Sequence, residues 1–431
     1  MTLYQRYLLT LSLLAVLVSN MDRYVVSILM EQIKSDLTLT DTQLGWLVGP
    51  AFVIVHVLFQ LPLARLADRW NRKNMIAVAM GLWSLLTVAA GYAKTFPMLL
   101  ITRMGVGITE AGCSPPLASL LSSNFSPQQR GKAMSIFTVG AISGIGAGML
   151  LGGFLGREFG WRVALIATGI PGVVLSLIFF LTVREPARES QATDSEKPSL
   201  ISVLGILLRR PTYVWLIIGT SCLSMTALGR SVWEPVFLMR TFGLDQAAAG
   251  LTYFLISPIP SLIGALLGGM LADRLSRLDL RWYMWLPALG MAVAFPTTIA
   301  FLWLPIDIVV SGTAIPLAFA FSVAGSFFAG MASPATIATA QNLSPPHMRA
   351  TAHAIWTMAS NLIGMGLGPL LVGILSDHWH AEHGSDALRL ALLCVSSLAL
   401  VAAIAFVMGA RGIRNDLSES QGASPTHTET L

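Results

Sequence analysis

The sequence predicts an all-α integral membrane protein with twelve transmembrane helices in two pseudo-symmetric bundles of six. Of its 431 residues, 54% are hydrophobic and only 11% are charged, whereas a soluble domain has about 25% charged residues. Apolar runs of about 20 residues or more recur along the chain, and each is long enough to cross a hydrocarbon core about 30 Å thick. Sequence motifs of the first half also recur in the second half, which predicts two related bundles.

In chain order, the twelve predicted spans cover residues 7–30, 42–65, 75–94, 97–122, 131–155, 161–183, 211–240, 247–271, 282–304, 308–341, 349–376 and 386–410. The first span is too long for a signal peptide, and no small-x-small cleavage site follows it, so we expect it to be retained. Cytoplasmic loops carry the excess of Lys and Arg. Basic residues are scarce in the loops of one side, which hold Lys34, Lys94, Arg157, Arg162, Arg240 and Arg389. The other side is therefore cytoplasmic, both termini are expected there, and the expected location is a bacterial inner membrane.

A polar, charged segment separates the two sets of six spans. The residues from Arg184 to Arg210 read REPARESQATDSEKPSLISVLGILLRR. The first part has the composition of a linker, and the second part predicts a short amphipathic helix on the membrane surface. We therefore predict an N-terminal bundle at 1–183, a cytosolic linker at 184–210, a C-terminal bundle at 211–411 and a disordered cytosolic tail at 412–431.

Three motifs occur once in each half. They are ARLADR (64–69) and GMLADR (269–274), SPPLASLLSSNFSPQQR (114–130) and SPATIATAQNLSPPHMR (333–349), and GIGAG (144–148) and GMGLG (364–368). A duplicated six-helix unit explains all three pairs, and such parallel repeats are one way to build a central site between two halves. The glycine motifs predict close helix packing.

Charged residues of the repeated motifs predict a gate at the cytosolic ends of the helices. An acidic residue followed by basic residues can form ion pairs with the opposite half of the protein and thereby stabilise a conformation that is closed on this side. The predicted gate residues are Asp68, Arg69, Arg72, Asp273, Arg274, Arg130 and Arg349. Membrane topology alone is the alternative explanation, since basic loops are expected on this side.

Four charged residues lie well inside predicted spans of the first half, at membrane depth. Asp22 and Arg23 are neighbours on the first span, and Arg103 and Glu110 lie seven residues apart on one face of the fourth. Ionisable groups at membrane depth are costly and usually face a cavity or each other. We expect one four-charge cluster in which Asp22 and Glu110 bind protons while the two guanidinium groups pair with them or hold a charged ligand. A permanent ion network that only positions helices is the alternative.

The second half lacks this cluster. Aligning the repeats places Ala329 opposite Glu110 and Ser322 opposite Arg103. The seventh span instead carries Arg230 and Glu234, four residues apart, which predicts a role toward a ligand or a gate, or else a structural ion pair.

The sequence gives little support for a disulfide, a metal site, nucleic-acid binding or enzymatic activity. Cys113, Cys222 and Cys394 lie singly in separate apolar spans, so no disulfide or metal site is expected. Histidine side chains are able to titrate near neutral pH, but His56 and His353 are expected to be helix-packing residues or residues at the cytosolic end of a helix. The HxHxxH motif at 378–383 lies in a predicted solvated loop with no cysteine near it, so no metal is expected. No zinc-finger, P-loop, dinucleotide, HExxH or nucleophile-elbow motif is present, which argues against nucleic-acid binding and enzymatic activity.

The repeated halves and the segment LADRWNRK (66–73) resemble the major facilitator superfamily over essentially the whole chain. Within it, NMDRYVVSILMEQIKSDLTLTDTQLGWL (20–47), RMGVGITEAGCSPPLASLL (103–121) and DALRLALL (386–393) resemble the Spinster branch, whose members move sphingosine-1-phosphate and lysophospholipids. The loop motif departs from the common pattern at Ala64 and Asn71, where the superfamily usually has Gly. The resemblance implies that the Asp-Arg pair of the family falls on Asp22 and Arg23.

The resemblance also implies that the Arg and Glu on the fourth helix of the family fall on Arg103 and Glu110, positions tied to proton coupling. We therefore expect a proton-coupled transporter of an amphipathic lipid, such as a lysophospholipid or a sphingoid phosphate, with a rocker-switch mechanism. The alternative is a proton symporter for small organic anions, such as aromatic or sugar acids. Expected partners are the substrate and membrane lipids, with no cofactor beyond the proton gradient, and a monomeric state. Expected cavity residues are Trp233, Phe237, Tyr253, Phe254, Trp356 and Asn361.

Overall fold

The structure of the protein, a computed structural model, describes residues 1–185, 200–304, 307–310, 313–344 and 348–420. Helices make up nearly all of this part of the chain, as the sequence predicts. Most of the predicted linker and the end of the predicted tail lie outside the described residues.

Eight helices belong to the first half of the chain and to the linker. They are α1 (Leu3–Leu37), α2 (Asp41–Val48), α3 (Pro50–Arg69), α4 (Arg72–Ala90), α5 (Phe96–Ala111), α6 (Ser114–Asn124), α7 (Pro127–Thr182) and α8 (Leu200–Leu208). Helix α8 coincides with the predicted amphipathic segment. It buries Val203 and Leu207, four residues apart, in the core of the second half.

The second half contains the remaining helices and two short strands. They are α9 (Pro211–Phe242), α10 (Gln246–Ile256), α11 (Pro258–Leu275), α12 (Trp282–Trp303), β1 (Asp307–Val310), β2 (Thr313–Pro316), α13 (Leu317–Asn342), α14 (Arg349–His383), α15 (Ala387–Ser396) and α16 (Leu398–Ser420). The strands pair in antiparallel register, with Val310 opposite Thr313. Val309, Val310 and Ile315 are β-branched and favour strands. The tenth helix span predicted at 308–341 therefore begins only at Leu317.

Prolines divide several predicted spans into two helices. Pro50 starts α3 after Gly49, Pro115 lies in the first turn of α6, and Pro258 starts α11 after Ser257. A proline disfavours helical geometry in the residue before it and lacks an N–H for the ladder, so each helix restarts at that point. The predicted span 97–122 is thereby shared between α5 and α6.

Two predicted spans lie within α7. The helix is interrupted at Gly160, where φ is 81°. Glycine has no Cβ to oppose this left-handed conformation, so the chain changes direction here without a separate loop. The part of α7 before Gly160 and the part after it correspond to the predicted spans 131–155 and 161–183.

Nine stretches of the described residues are long and apolar enough to cross a membrane, judged by length and composition. Two of them, Gln128–Thr182 and Thr351–Leu417, have 55 and 67 residues, which is enough for two spans each. The divided span 97–122 is not among the nine. The nine stretches are consistent with the twelve predicted spans.

The chain divides into two compact units. The first unit comprises Met1–Ala192, Ser231–Phe254 and Pro369–Ala391. The second unit comprises Thr193–Arg230, Leu255–Gly368 and Leu392–Leu431. The first unit thus contains all helices of the first half together with parts of α9, α10, α14 and α15. The bundle boundaries derived from the sequence repeats stay a prediction.

Helix α16 continues well past the predicted end of the C-terminal bundle at residue 411. Ile413 and Leu417 are buried one turn apart, and the Asp416 carboxylate accepts a hydrogen bond of 3.0 Å from the backbone N–H of Thr212 at the start of α9. The disorder predicted from residue 412 is therefore not observed up to Ser420. The segment after residue 411 is mostly polar, and its buried residues occur only once per turn, so its composition did not predict a helix.

Candidate functional site

A cluster of charged side chains lies in the first unit, between α1 and α5. Asp22 and Arg23 belong to α1, and Arg103 and Glu110 belong to α5. Gly148 of α7 lets α1 approach closely, since a Cβ there would lie 2.8 Å from the Met21 carbonyl oxygen. The structure thus brings together the four residues that the sequence singles out.

Arg23 and Glu110 form the ion pair of this charge cluster. The Arg23 Nη2 donates to Glu110 Oε1 at 2.6 Å, and Nε donates to Oε2 at 3.3 Å. Ser19, one turn before Arg23, donates its hydroxyl to the same Oε1. The Arg23 guanidinium carbon also lies 4.7 Å from the centre of the Phe52 ring, a cation–π contact. Bidentate pairing and burial hold the Glu110 carboxylate in one orientation.

Asp22 and Arg103 lie deeper and are less completely bonded. Asp22 is 1% exposed and Arg103 is 3% exposed. Asp22 Oδ2 accepts a hydrogen bond of 3.3 Å from Thr87, while Arg103 Nη2 donates to the Asp22 backbone carbonyl at 3.3 Å. Within the described part of the chain, Asp22 Oδ1 and the Nε and Nη1 atoms of Arg103 have no hydrogen-bond partner. Buried polar groups of this kind are rare in folded proteins and point to a function or to bound water.

A small cavity adjoins the ion pair. Its volume is about 160 Å³, and its polar wall includes Ser19, Asn20, Arg23, Glu110 and Ser114. A cavity of this size holds a few water molecules or a small polar group, since one water occupies about 30 Å³. The charge cluster is therefore within reach of a mobile polar species.

His56 of α3 lies beside the charge cluster. Its Nδ1 is 3.2 Å from the carbonyl oxygen of Gly107 on α5. Its ring stacks on Phe52 with a centroid distance of 5.2 Å and an interplanar angle of 21°. The packing role expected from the sequence is thus present, together with a fixed hydrogen bond.

Arg230 of α9 lies in the second unit. It donates to Thr298 Oγ1 at 3.1 Å and to Ser322 Oγ at 3.5 Å. Ser322 is the repeat counterpart of Arg103, so the position that is basic in the first half has a hydroxyl that contacts an arginine in the second. Glu234 is buried in the first unit.

A second polar network in the first unit, which we call the Asp41 cluster, was not predicted from the sequence. It consists of Glu31 and Lys34 of α1, Asp41 of α2, Arg240 of α9, and Ser376 and Asp377 of α14. The side chain of Asp41 is 3% exposed. Its carboxylate accepts hydrogen bonds from Lys34 at 2.6 Å, from both terminal nitrogens of Arg240 at 2.8 Å, and from Ser376 at 2.7 Å.

Backbone contacts accompany these ion pairs. The Asp377 carboxylate accepts the backbone N–H groups of Asp41 and Thr42 at 3.0 and 2.7 Å, so a residue of α14 caps the first turn of α2. A Cβ on Gly45 of α2 would lie 2.9 Å from the Leu370 Cα atom, and one on Gly373 would clash with the Asp41 carbonyl oxygen. The Asp41 cluster therefore joins segments from both sequence halves at close range.

The predicted cytosolic gate residues are found in different environments. Arg72 is buried and bonds within its own unit, donating to Glu185 at 2.8 Å and to the hydroxyl of Ser123 at 2.8 Å. Arg130 donates to backbone carbonyls of α6 and its C-cap. Asp273 and Arg274 are exposed on α11. The side chains of Asp68, Arg69 and Arg349 lie outside the described residues, so their gating role stays a prediction.

The predicted cavity residues differ in burial. Trp233, Phe237 and Tyr253 are almost completely buried in the first unit, and the Trp233 indole donates to the Pro369 carbonyl at 2.8 Å. Phe254 is half-buried there. In the second unit, Trp356 is half-buried and donates to the Thr220 hydroxyl at 3.1 Å, while Asn361 is exposed. Their contact with a substrate stays a prediction.

The histidines of the HxHxxH motif lie on α14, which extends to His383, and not in a loop as the sequence suggested. The described residues contain no group of three or more His, Cys, Asp or Glu side chains that would hold a metal ion. The three cysteines are free thiols.

Comparison with known proteins places this architecture in a family. The chain matches the Major Facilitator Superfamily over residues 12–369 and 235–428. It is 32% identical over 403 residues to an "MFS-type efflux pump" of Mycolicibacterium smegmatis, covering 92% of this chain and 91% of that protein. It is 27% identical over 431 residues to human "Protein spinster homolog 1", covering 94% of this chain and 80% of that protein.

A solved structure gives the same assignment. The crystal structure of a bacterial homolog of the human lysosomal transporter Spinster, in an inward-facing and unoccupied conformation, matches with a TM-score of 0.86 and 26% identity. The match covers 96% of this chain and 99% of that chain. The chain therefore belongs to the Major Facilitator Superfamily, is similar to Spinster members of it, and is an integral membrane transporter rather than an enzyme.

Proposed function

We propose that the chain is a proton-coupled secondary active transporter of an amphipathic lipid with a charged headgroup, of the lysophospholipid or sphingoid phosphate type. It resides in a bacterial inner membrane with both termini in the cytoplasm and works as a monomer by rocker-switch alternating access. It uses the proton gradient and no cofactor. The mycobacterial relative is named an efflux pump, which favours export.

One observation carries the proton coupling. Glu110 is paired with Arg23, whereas one oxygen of the neighbouring Asp22 carboxylate and two nitrogens of Arg103 have no hydrogen-bond partner among the residues that the structure describes. Burial favours the protonated form of Asp22, and a closer approach of a guanidinium group favours the ionised form. A change of partners between two states of the transporter would therefore make Asp22 take up a proton in one state and release it in the other.

The Asp41 cluster fits the alternating-access part of the proposal. It lies at the ends of α1 and α9 that the distribution of basic residues predicts to be outside, and its contacts tie both sequence halves together there. A rocker switch requires such contacts to break in each cycle.

Transport by purified protein in liposomes tests the proposal. Lysophosphatidylglycerol, sphingosine-1-phosphate and gluconate are offered in parallel under an imposed pH gradient, and each compound is analysed for chemical change after it crosses. We expect uptake of an unaltered lipid that stops when a protonophore collapses the gradient. Gradient-driven uptake of gluconate alone would favour the organic-anion alternative.

Variants then locate the coupling. Asp22→Asn and Glu110→Gln remove titratable groups while keeping side-chain size, so we expect gradient-driven uptake to be lost and membrane insertion to be unchanged. Glu158→Gln is the matched control, because Glu158 pairs with Arg157 on the surface, where both side chains are 44% exposed. Wild-type rates from both buried variants would refute the proposed coupling.

A further inference from the structure

The hydrogen bond of His56 determines where its protons lie. Nδ1 is within 3.2 Å of the Gly107 carbonyl oxygen, and a carbonyl only accepts hydrogen bonds. Nδ1 therefore carries a proton, and the lone pair of the neutral ring is on Nε2. His56 is half-buried, and Nε2 is the nitrogen on which the neutral ring takes up a proton.

Two charged residues of the cluster act on this ring. His56 and the Arg23 guanidinium both contact Phe52, at 5.2 Å and 4.7 Å from its centroid. The imidazole is thus no more than about 10 Å from the guanidinium carbon, a separation at which salt screens little inside a protein. Gly107, which fixes the ring, precedes Glu110 by three residues on α5, about one helical turn.

The charged groups of this region come from α5, against which α3 packs, and from α1, whose Arg23 contacts Phe52. Helix α1 contributes Asp22 and Arg23, and α5 contributes Arg103 and Glu110. By charge alone, Arg23 repels an imidazolium at the position of His56, and the Glu110 carboxylate attracts it. Because Arg23 and Glu110 are paired with each other, a proton on His56 alters the balance of that pair.

We propose that His56 is a pH-responsive positioning residue of the charge cluster. When Nε2 takes up a proton, the imidazolium competes with Arg23 for the Glu110 carboxylate and weakens the Arg23–Glu110 ion pair. Arg23 is then released toward the adjoining cavity, where it is able to hold an anionic headgroup. Acid conditions thereby prepare the site for its substrate; this last step rests on the proposed function, whereas the charge exchange itself does not.

Nuclear magnetic resonance of the full chain in nanodiscs, labelled with ¹⁵N-histidine, tests the charge exchange without any substrate. The His56 signal is assigned by its loss in His56→Gln, in which the amide is still able to donate to the Gly107 carbonyl. Phe52→Leu gives an independent assignment, because removing the stacked ring shifts the same signal. We expect the Nδ1–H tautomer at neutral pH and conversion to imidazolium in the acidic range below it.

The decisive comparison is between two variants that change the electrostatic potential at the His56 ring in opposite directions. At a fixed pH, Glu110→Gln is expected to lower the ratio of charged to neutral His56 by about threefold or more, and Arg23→Gln is expected to raise it by a similar factor. Asp279→Asn, an exposed acid of the second unit, is the control and should leave the ratio unchanged. An Nε2–H tautomer, the absence of titration in this range, or equal ratios in all four proteins would overturn the proposal.

This outcome is separable from that of the proposed transport mechanism. If Asp22→Asn stops gradient-driven uptake while His56 does not titrate, the role of His56 is refuted and proton coupling through Asp22 stands. If His56 responds to both variants while Asp22→Asn transports at the wild-type rate, the coupling through Asp22 is refuted and the role of His56 stands.

Discussion

Replacing Asp41 by asparagine removes the charge at the centre of the Asp41 cluster and keeps the size of the side chain. Removing one partner of a buried ion pair costs about 3–5 kcal/mol. Two features of the structure place Asp41→Asn at the lower end of this range. Arg240 keeps its bond of 2.6 Å to Glu31, and the Lys34 side chain is 31% exposed and regains water. We therefore expect the attachment of α2 within the Asp41 cluster to weaken by about 3 kcal/mol, which is roughly a hundredfold in its opening equilibrium.

Hydrogen exchange measured by mass spectrometry on the protein in nanodiscs gives this opening equilibrium directly. The informative amides are those of α2 and of residues 370–377 in α14, because local opening of the Asp41 cluster exposes them. The expected result for Asp41→Asn is a loss of protection of about a hundredfold in both segments, with no change in the core of the second unit.

Asp36→Asn is the matched control for this measurement. Asp36 is also on α1 and pairs with Arg162 at 2.5 Å, but both side chains are about 40% exposed, at 43% and 39%. Such surface pairs contribute about 0–1 kcal/mol, so protection should change by less than about fivefold. Unchanged protection in Asp41→Asn, or an equal loss in Asp36→Asn, would show that the buried contacts do not hold the two halves together.

Two further predictions follow from the packing and from the loop charges. Gly373→Ala places a methyl group against the backbone at the start of α2 and should lower protection there by the equivalent of about 1–3 kcal/mol, whereas Gly131→Ala, which has nothing within 4 Å of its added Cβ, should not. The Arg281 backbone N–H and the Arg414 guanidinium lower the pKa of Asp279. The stability that this carboxylate contributes is therefore present above the ordinary Asp pKa of about 4 and is lost as the pH falls through the lowered value. A spin label on the last turn of α16 should become mobile on acidification in wild type but be equally mobile at all pH values in Asp279→Asn. A label that stays immobile in the acidified wild type, or one whose mobility changes with pH in Asp279→Asn, would contradict the assignment.

The sequence is sufficient to predict the helical architecture, because apolar runs of membrane length are a strong signal. It does not predict where the helices break. Pro50 and Pro258 interrupt their spans, but prolines also occur inside continuous helices here, as Pro171 and Pro369 do. Whether a proline breaks a helix or is accommodated depends on the neighbouring helices, and a single sequence does not contain that information.

The charge cluster was predictable for a similar reason. Charged residues are rare inside spans, so Asp22, Arg23, Arg103 and Glu110 are easy to identify in the sequence. They lie on only two helices, α1 and α5, and the packing of these two helices is sufficient to bring the four side chains together. Thr87 escaped notice because a threonine in an apolar span is ordinary. Its contact with Asp22 depends on how α4 packs beside α1.

The Asp41 cluster escaped notice because its residues lie at the ends of helices, where charged residues are expected. A signal was present in the loops of the predicted outer side. These loops contain few basic residues, and Lys34 and Arg240 are two of them. Pairing them with Asp41 requires that α9 and α14 approach α2, which is information about tertiary structure.

The composition of the Asp41 cluster also has a consequence for biogenesis. Lys34 precedes Asp41 by seven residues, whereas Arg240 and Ser376 follow it by 199 and 335. While the ribosome is still synthesising the second half, Lys34 is the only one of these three partners available to Asp41. Asp377 is not yet present to cap the first turn of α2. This junction is therefore among the last parts of the molecule to assemble, and in a chain that terminates before residue 240 the Asp41 carboxylate lacks most of its hydrogen-bond donors.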